Sequence, residues 1–169
     1  VTVVGSTRVP LREAPGMSLV AGRDPPAQRA LFVDGNAVSG ITQDEGRAGP
    51  LTFLDRLPTA LPYHMLAPDR VLVLRAGGGL LALQAKQAGA RQVDAVESDP
   101  NIHALLRGPY AAFSGGLFVE PPVRAIRSDS RAWLERSTET YDLIQIGPVG
   151  SPAAGGAGLH AMQEDFLFT

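Results

Sequence analysis

Hydrophobic and polar positions follow two rhythms along this chain, one suited to buried strands and one to helices. From Val71 to Leu74 the apolar residues run without a break, and half of them are β-branched. Such a run predicts a parallel strand buried on both faces. Gly77-Gly78-Gly79 follow, where missing side chains let the chain turn sharply and let backbone approach a ligand. Leu80 to Ala90 carries apolar residues at helical spacing, with Gly89 near the expected stop. Gln92 to Ser98 reads as a second strand and ends on Glu97. The alternation then repeats. Asp99-Pro100 predicts a capped helix start, with the helix running to about Leu106. After a loop through Ser114-Gly115-Gly116, a third strand is expected at Val123 to Ile126. Ser128-Asp129-Ser130 opens a helix carrying Trp133 and Leu134, and Tyr141 to Ile146 is a fourth strand.

Strands alternating with helices imply a parallel sheet with right-handed crossovers. A strand, a glycine turn, a helix and a second strand ending in an acid form the nucleoside-binding half of a Rossmann-like fold. The stretch before it differs. Short apolar pieces at Val1 to Val4, Ser18 to Ala21, Ala30 to Val33 and Ala37 to Ile41 are separated by Pro, Gly and Asp, the pattern of small antiparallel strands. Asp34-Gly35-Asn36 predicts a hairpin turn, since Gly and Asn tolerate positive φ. Residues 50–66 suggest a short helix interrupted by Pro58 and Pro62. The fold class expected is α/β: a Rossmann-like parallel sheet preceded by a small N-terminal antiparallel β-region. The division expected is residues 1–66 as β-region and linker, and residues 67–169 as the nucleoside-binding domain. In the usual order of such sheets the fourth strand lies beside the first, at an edge. An apolar edge of this kind invites pairing with another chain, so a homodimer is expected.

Composition narrows the classes. A length of 169 residues suits one domain or a domain with a small appendage, and 44% hydrophobic residues suffice for a core. A formal net charge of -2 argues against a nucleic-acid partner. The absence of cysteine excludes disulfides, thiolate metal sites and thiol nucleophiles. His64, His103 and His160 offer no metal-ligand spacing, so no metal is expected. No signal peptide and no apolar run of membrane-spanning length is visible, which fits a cytoplasmic setting. The chain begins with Val rather than Met, as a chain processed or excised from a longer one would.

The segments VLVLRAGGG, VDAVESDP, AIRSDSRAWL and YDLIQIGPVG, in that order, resemble the spermidine synthases. These are aminopropyltransferases of polyamine biosynthesis, built on the class I AdoMet-dependent methyltransferase fold. ALFVDGNAVSGI looks like that family's small β-domain, and the likeness covers roughly Ser18 to Thr169, with no single motif intact. The ending GLHAMQEDFLFT is similar to synthase-like domains inside larger bacterial membrane proteins. The family continues with further strands, so the resemblance implies a fragment or a soluble domain of a larger, membrane-associated parent polypeptide.

The resemblance also assigns candidate residues. The family's loop reads Gly-Gly-Gly-Asp-Gly-Gly, and residues 75–80 match it with Arg75 at the first glycine and Gly78 at the acid. Gly77, Gly78 and Gly79 would approach the nucleoside, Glu97 would accept hydrogen bonds from the ribose diol, and Asp129 with the Ser130 backbone would read the adenine edge. Asp129 also suits a helix N-cap, as Asp99 does. The family places a second acid directly after the fourth strand, where this chain has Gly147. A polyamine nitrogen has a pKa of about 10 and must lose a proton before it attacks. With neither acid present, no catalytic residue is assigned. Glu164 and Asp165 lie downstream but fit a solvated helix face. Arg75 has two readings. In the crevice it would repel decarboxylated AdoMet and welcome the carboxylate of AdoMet; otherwise it reaches solvent. Tyr63-His64 fits a packed linker, His160 the surface, and Trp133 the core or an interface. The co-substrate expected is decarboxylated AdoMet or AdoMet, with a nucleoside and a polyamine as small-molecule partners. The function that the resemblance implies first is aminopropyl transfer from decarboxylated AdoMet to a polyamine, with the usual acids absent; the alternatives are a non-catalytic nucleoside-binding or regulatory module and AdoMet-dependent methyl transfer. NAD binding is disfavoured because the G-x-G-x-x-G spacing is absent.

Overall fold

The computed structural model describes residues 1–17, 24–44, 46 and 51–147. The strand expected at 18–21, the loop beyond Gly147 and the residues His160, Glu164 and Asp165 lie outside the described residues.

The N-terminal strands β1 (Thr2–Val4), β2 (Gln28–Val33) and β3 (Asn36–Thr42) form an antiparallel sheet in that order. Val33 pairs with Asn36 across a two-residue turn in which Asp34 and Gly35 have φ of 50° and 79°. Two successive positive φ values match the twist of the flanking strands. The turn is therefore one residue tighter than Asp34-Gly35-Asn36 suggests, because Asn36 already opens β3. Next come two 3₁₀ turns, Leu54–Arg56 and Pro58–Ala60, and helix α1 (Leu61–Leu66). Pro58 and Pro62 stand in the first turns of their elements instead of interrupting a helix. A first-turn proline gives up only an N–H that had no intrahelical partner.

The second sheet alternates with helices: β4 (Arg70–Leu74), α2 (Leu80–Gln87), β5 (Gln92–Glu97), α3 (Pro100–Arg107), β6 (Val123–Arg127), α4 (Ser130–Arg136) and β7 (Leu143–Ile146). All its pairs are parallel and its order is β6-β5-β4-β7, the arrangement expected of a doubly wound sheet. Helix α2 ends at Gln87, short of the expected Ala90. Asp99 and Asp129 cap α3 and α4: Asp99 accepts from the Asn101 and Ile102 N–H groups, and Asp129 from the Ala132 N–H.

The period of two in β4 and β5 divides the core between the faces of this sheet. Val71, Val73, Val93 and Ala95 join Leu83 of α2 and Ile102 of α3, and the same cluster takes in Leu31 and Ile41 from the N-terminal hairpin. Leu72, Leu74 and Val96 face the other way, against Ile126, Trp133 and Tyr141. Each such Val or Leu contributes roughly 1.5–3 kcal/mol by leaving water. One ion pair interrupts this second face. The fully buried Asp94 accepts from Arg124 Nε at 2.8 Å, Arg124 Nη2 at 2.6 Å and the Tyr141 hydroxyl at 2.7 Å. Burial pushes this carboxyl up, but the Arg124 and Tyr141 hydrogen bonds outweigh it and hold the group below the ordinary carboxylate range.

Among the described residues, no strand pairs with the outer edge of β7, where Ile144 and Ile146 are 51% and 41% exposed. No helix among the described residues is long and apolar enough to cross a membrane.

Candidate functional site

The chain reverses its winding direction between β4 and β7, and a crevice opens where strands run out at such a point. A cleft of about 460 Å³ lies there, lined by Arg75, Ala76 and Gly77 after β4, Glu97 to Asp99 after β5, and Ile146 and Gly147 at the end of β7. The N-terminal region closes the other wall with Glu13, Val33 and Ser39, and Leu57 and Thr59 complete it. This volume falls within the roughly 300–1,000 Å³ of small-molecule sites.

Glu97 ends β5 with only 9% of its surface exposed. Its Oε2 accepts from the Gly77 N–H at 2.8 Å and its Oε1 from the Asp99 N–H at 2.9 Å. The carboxylate thus fastens the glycine loop to the strand end. Each oxygen keeps an unused lone pair. Both oxygens belong to a residue on the cleft wall.

Arg75 adopts φ of 56° in the position to which the resemblance to the spermidine synthases would assign a glycine. A non-glycine residue in the left-handed region costs roughly 1–2 kcal/mol. Arg75 therefore holds a backbone conformation that glycine adopts at less cost. Arg75 lies on the cleft wall.

The two positions expected to have lost acids are closed as well as substituted. A Cβ at Gly78 would lie 2.6 Å from the carbonyl carbon of Gly40 in β3, and closer still to its oxygen. The Gly78 N–H donates to Ser39 Oγ at 2.5 Å, so the hairpin lies directly on the glycine loop. A Cβ at Gly147 would lie 3.2 Å from the carbonyl carbon of Arg75, again closer to the oxygen. Gly147 is held there by donating its N–H to the Leu74 carbonyl at 2.8 Å. Backbone occupies the room that either side chain would need.

The structure brings Arg75, Gly77, Glu97 and Gly147 to one cleft. Gly78 sits behind it, beneath Ser39 and Gly40, and Gly79 packs near Phe118 and Leu117. Asp129 is exposed at the start of α4, with Ser130 buried beside it, and neither lines the cleft. Tyr63 is part of the packed linker: its hydroxyl donates to Gln145 Oε1 at 2.7 Å, while His64 pairs with Asp55 at 2.8 Å on the surface. Among the described residues no cluster of three His, Asp or Glu could hold a metal ion.

Sequence reasoning missed Glu13 and Ser39. Glu13 stands among Arg12, Ala14, Pro15 and Gly16, where no periodicity or motif marks it. Its backbone is tied to Gln28, with its N–H donating to Gln28 Oε1 at 2.6 Å and its carbonyl accepting from Gln28 Nε2 at 3.0 Å. One carboxylate oxygen, Oε2, accepts from the Gly40 N–H. Burial pushes this carboxyl up to about 7, against the opposing pull of the Gly40 hydrogen bond.

The sequence matches no protein-family model, and no curated protein is significantly similar to it. Solved structures are similar in fold. The spermidine synthase from Thermotoga maritima superposes with a TM-score of 0.52 at 18% identity, over 74% of this chain and 41% of that one. A spermidine synthase in complex with the transition-state analogue AdoDATO gives 0.51 at 17% identity, over 78% of this chain and 46% of that one. A SAM-dependent methyltransferase from Agrobacterium tumefaciens gives 0.47 at 20% identity, over 72% and 39%. The chain spans less than half the length of each of these structures. Its architecture is a spermidine synthase-like, class I methyltransferase fold.

Proposed function

We propose that the chain binds an adenosyl nucleoside of the AdoMet type, and that it does so without the carboxylates an aminopropyltransferase uses on its amine. The observation that carries this reading is Glu97. It is buried at the end of β5, it fastens the glycine loop through Gly77, and it keeps lone pairs for a diol at the mouth of the cleft. The backbone filling the space at Gly78 and Gly147 supports a nucleoside-binding or regulatory module over aminopropyl transfer to a polyamine. Arg75 on the cleft wall favours one further reading, methyl transfer from intact AdoMet, because its guanidinium would suit that ligand's carboxylate.

Calorimetric titration of the full chain with methylthioadenosine, AdoMet, decarboxylated AdoMet and NAD tests the proposal. Adenosyl thioethers or sulfoniums should bind, and Glu97→Ala should weaken them tenfold or more, with Glu97→Gln intermediate. NAD should not bind. Failure of every adenosyl ligand would refute nucleoside binding. Turnover of putrescine with decarboxylated AdoMet would refute the loss of aminopropyl transfer, and tighter binding of AdoMet than of its decarboxylated form would favour methyl transfer.

A further inference from the structure

We propose that Glu13, brought into the cleft by the N-terminal segment, is the residue with which this site selects a nucleoside carrying a positively charged chain. The inference rests on the nucleoside reading above and adds to it the charge of the ligand.

Glu13 is held in place from two sides. Its backbone pairs with the side chain of Gln28, which is itself buried and donates to Thr42 Oγ1 at 3.0 Å. Its Oε2 takes the Gly40 N–H. Gly40 therefore stands between two carboxylate positions: its N–H holds Glu13, and its carbonyl fills the space at Gly78. The hairpin that shuts out an acid on the glycine loop is the one that anchors an acid from the N-terminal segment.

That acid stands in largely apolar surroundings. Glu13 is only partly exposed, and apolar groups such as Pro15, Val33, Leu57 and Ile146 share the cleft wall with it. A carboxylate partly withdrawn from water resists ionising, and a cation placed against it relieves the cost. Burial among these groups is what raises it to about 7. Among the described residues the other ionisable groups lining the cleft are Arg75, Glu97 and Asp99, so there carboxyl groups outnumber guanidinium groups. The neighbours of Glu13 on β2 and β3, Gln28, Gly40 and Thr42, are uncharged.

The sign of the pH dependence follows. A cationic ligand binds best when Glu13 is ionised, so its affinity should rise with pH through the neighbourhood of 7. A group titrating there goes from about a tenth to about nine-tenths ionised between pH 6 and 8, which predicts a change of about tenfold. A primary amine on the ligand, with a pKa of about 10, stays protonated throughout.

The test is calorimetry at pH 6 and pH 8 with decarboxylated AdoMet, a cation, and methylthioadenosine, its neutral counterpart. The wild type should bind the cation about tenfold more tightly at pH 8, with methylthioadenosine unchanged. Glu13→Gln, which keeps an acceptor for the Gly40 N–H, should lose that pH dependence and bind the cation about tenfold more weakly at pH 8. Its affinity for methylthioadenosine and its melting temperature should stay at wild-type values. Survival of the cation preference and its pH dependence in Glu13→Gln overturns the inference and leaves nucleoside binding intact. Parallel loss of both ligands in Glu13→Gln also overturns it, by making Glu13 a structural support. Failure of both ligands to bind the wild type would remove the nucleoside reading and this inference together.

Discussion

Replacing Gly78 by alanine isolates one feature of this fold, the contact of the β3 backbone with the glycine loop. Gly78 does not have a positive φ, so the substitution costs nothing in backbone conformation and everything it costs is steric. The added Cβ would lie 2.6 Å from the Gly40 carbonyl carbon and 3.0 Å from the Ile41 nitrogen. Ordinary carbon contacts stand at about 3.5–4.0 Å, so one surface must retreat by about 1 Å. Backbone in a paired strand cannot rotate aside as a side chain would. The retreat also stretches the hydrogen bond from the Gly78 N–H to Ser39 Oγ and loosens Ile41 in the core. Overpacking of this kind costs about 3 kcal/mol, the upper end of the usual range. For a chain of this size that lowers the melting temperature by roughly 6–12 °C. Gly35→Ala is the control. Its Cβ meets nothing within 4 Å, so only its φ of 79° opposes the change. That strain is worth roughly 1–2 kcal/mol, or about 2–8 °C. Thermal unfolding followed by circular dichroism at 222 nm compares the two directly. A Gly78→Ala protein that melts at or above the Gly35→Ala protein would refute the placement of the hairpin on the loop.

Two further outcomes are expected. Asp94→Asn should destabilise the protein by about 2–3 kcal/mol, less than a wholly buried pair because Arg124 is half exposed. Asp94 titrates lower in the fold than in the open chain, so its stabilisation is complete above the ordinary carboxylate value of 3.8 and is lost as pH falls below it. Urea unfolding from pH 6 to pH 3 should therefore show a shallower acid loss in Asp94→Asn, and an unchanged acid limb would refute that role. The edge of β7, unpaired among the described residues, predicts a homodimer, and Ile144→Lys should shift it toward monomer. Light scattering that finds only monomer at high concentration would count against this.

Much of the fold was legible because its determinants are local. The unbroken apolar run in β4, the Asp caps of α3 and α4 and the Asp-Gly turn each depend on residues within a few positions of one another. The strand order followed from the general behaviour of doubly wound sheets. Where boundaries moved, local packing decided them. Asn36 was drawn into β3 by its pairing with Val33, and Pro58 and Pro62 became helix starts because each proline sits where no N–H is required. The site was legible only in part. Glu97 could be named from its place at the end of β5, because that position belongs to a continuous motif.

The sequence by itself determined that this is an alternating α/β chain with a nucleoside-type glycine turn and with glycine at Gly78 and Gly147, where the synthases carry acids. Tertiary structure alone decided that those positions are filled by the carbonyls of Gly40 and Arg75, and that Asp129 stands outside the cleft while Glu13 stands within it. The physical reason is the range of the interactions. Periodicity and capping act between near neighbours and leave a pattern in the chain. A steric contact between two backbones, or a carboxylate anchored by a distant glutamine and glycine, links residues far apart in sequence and leaves no pattern to read.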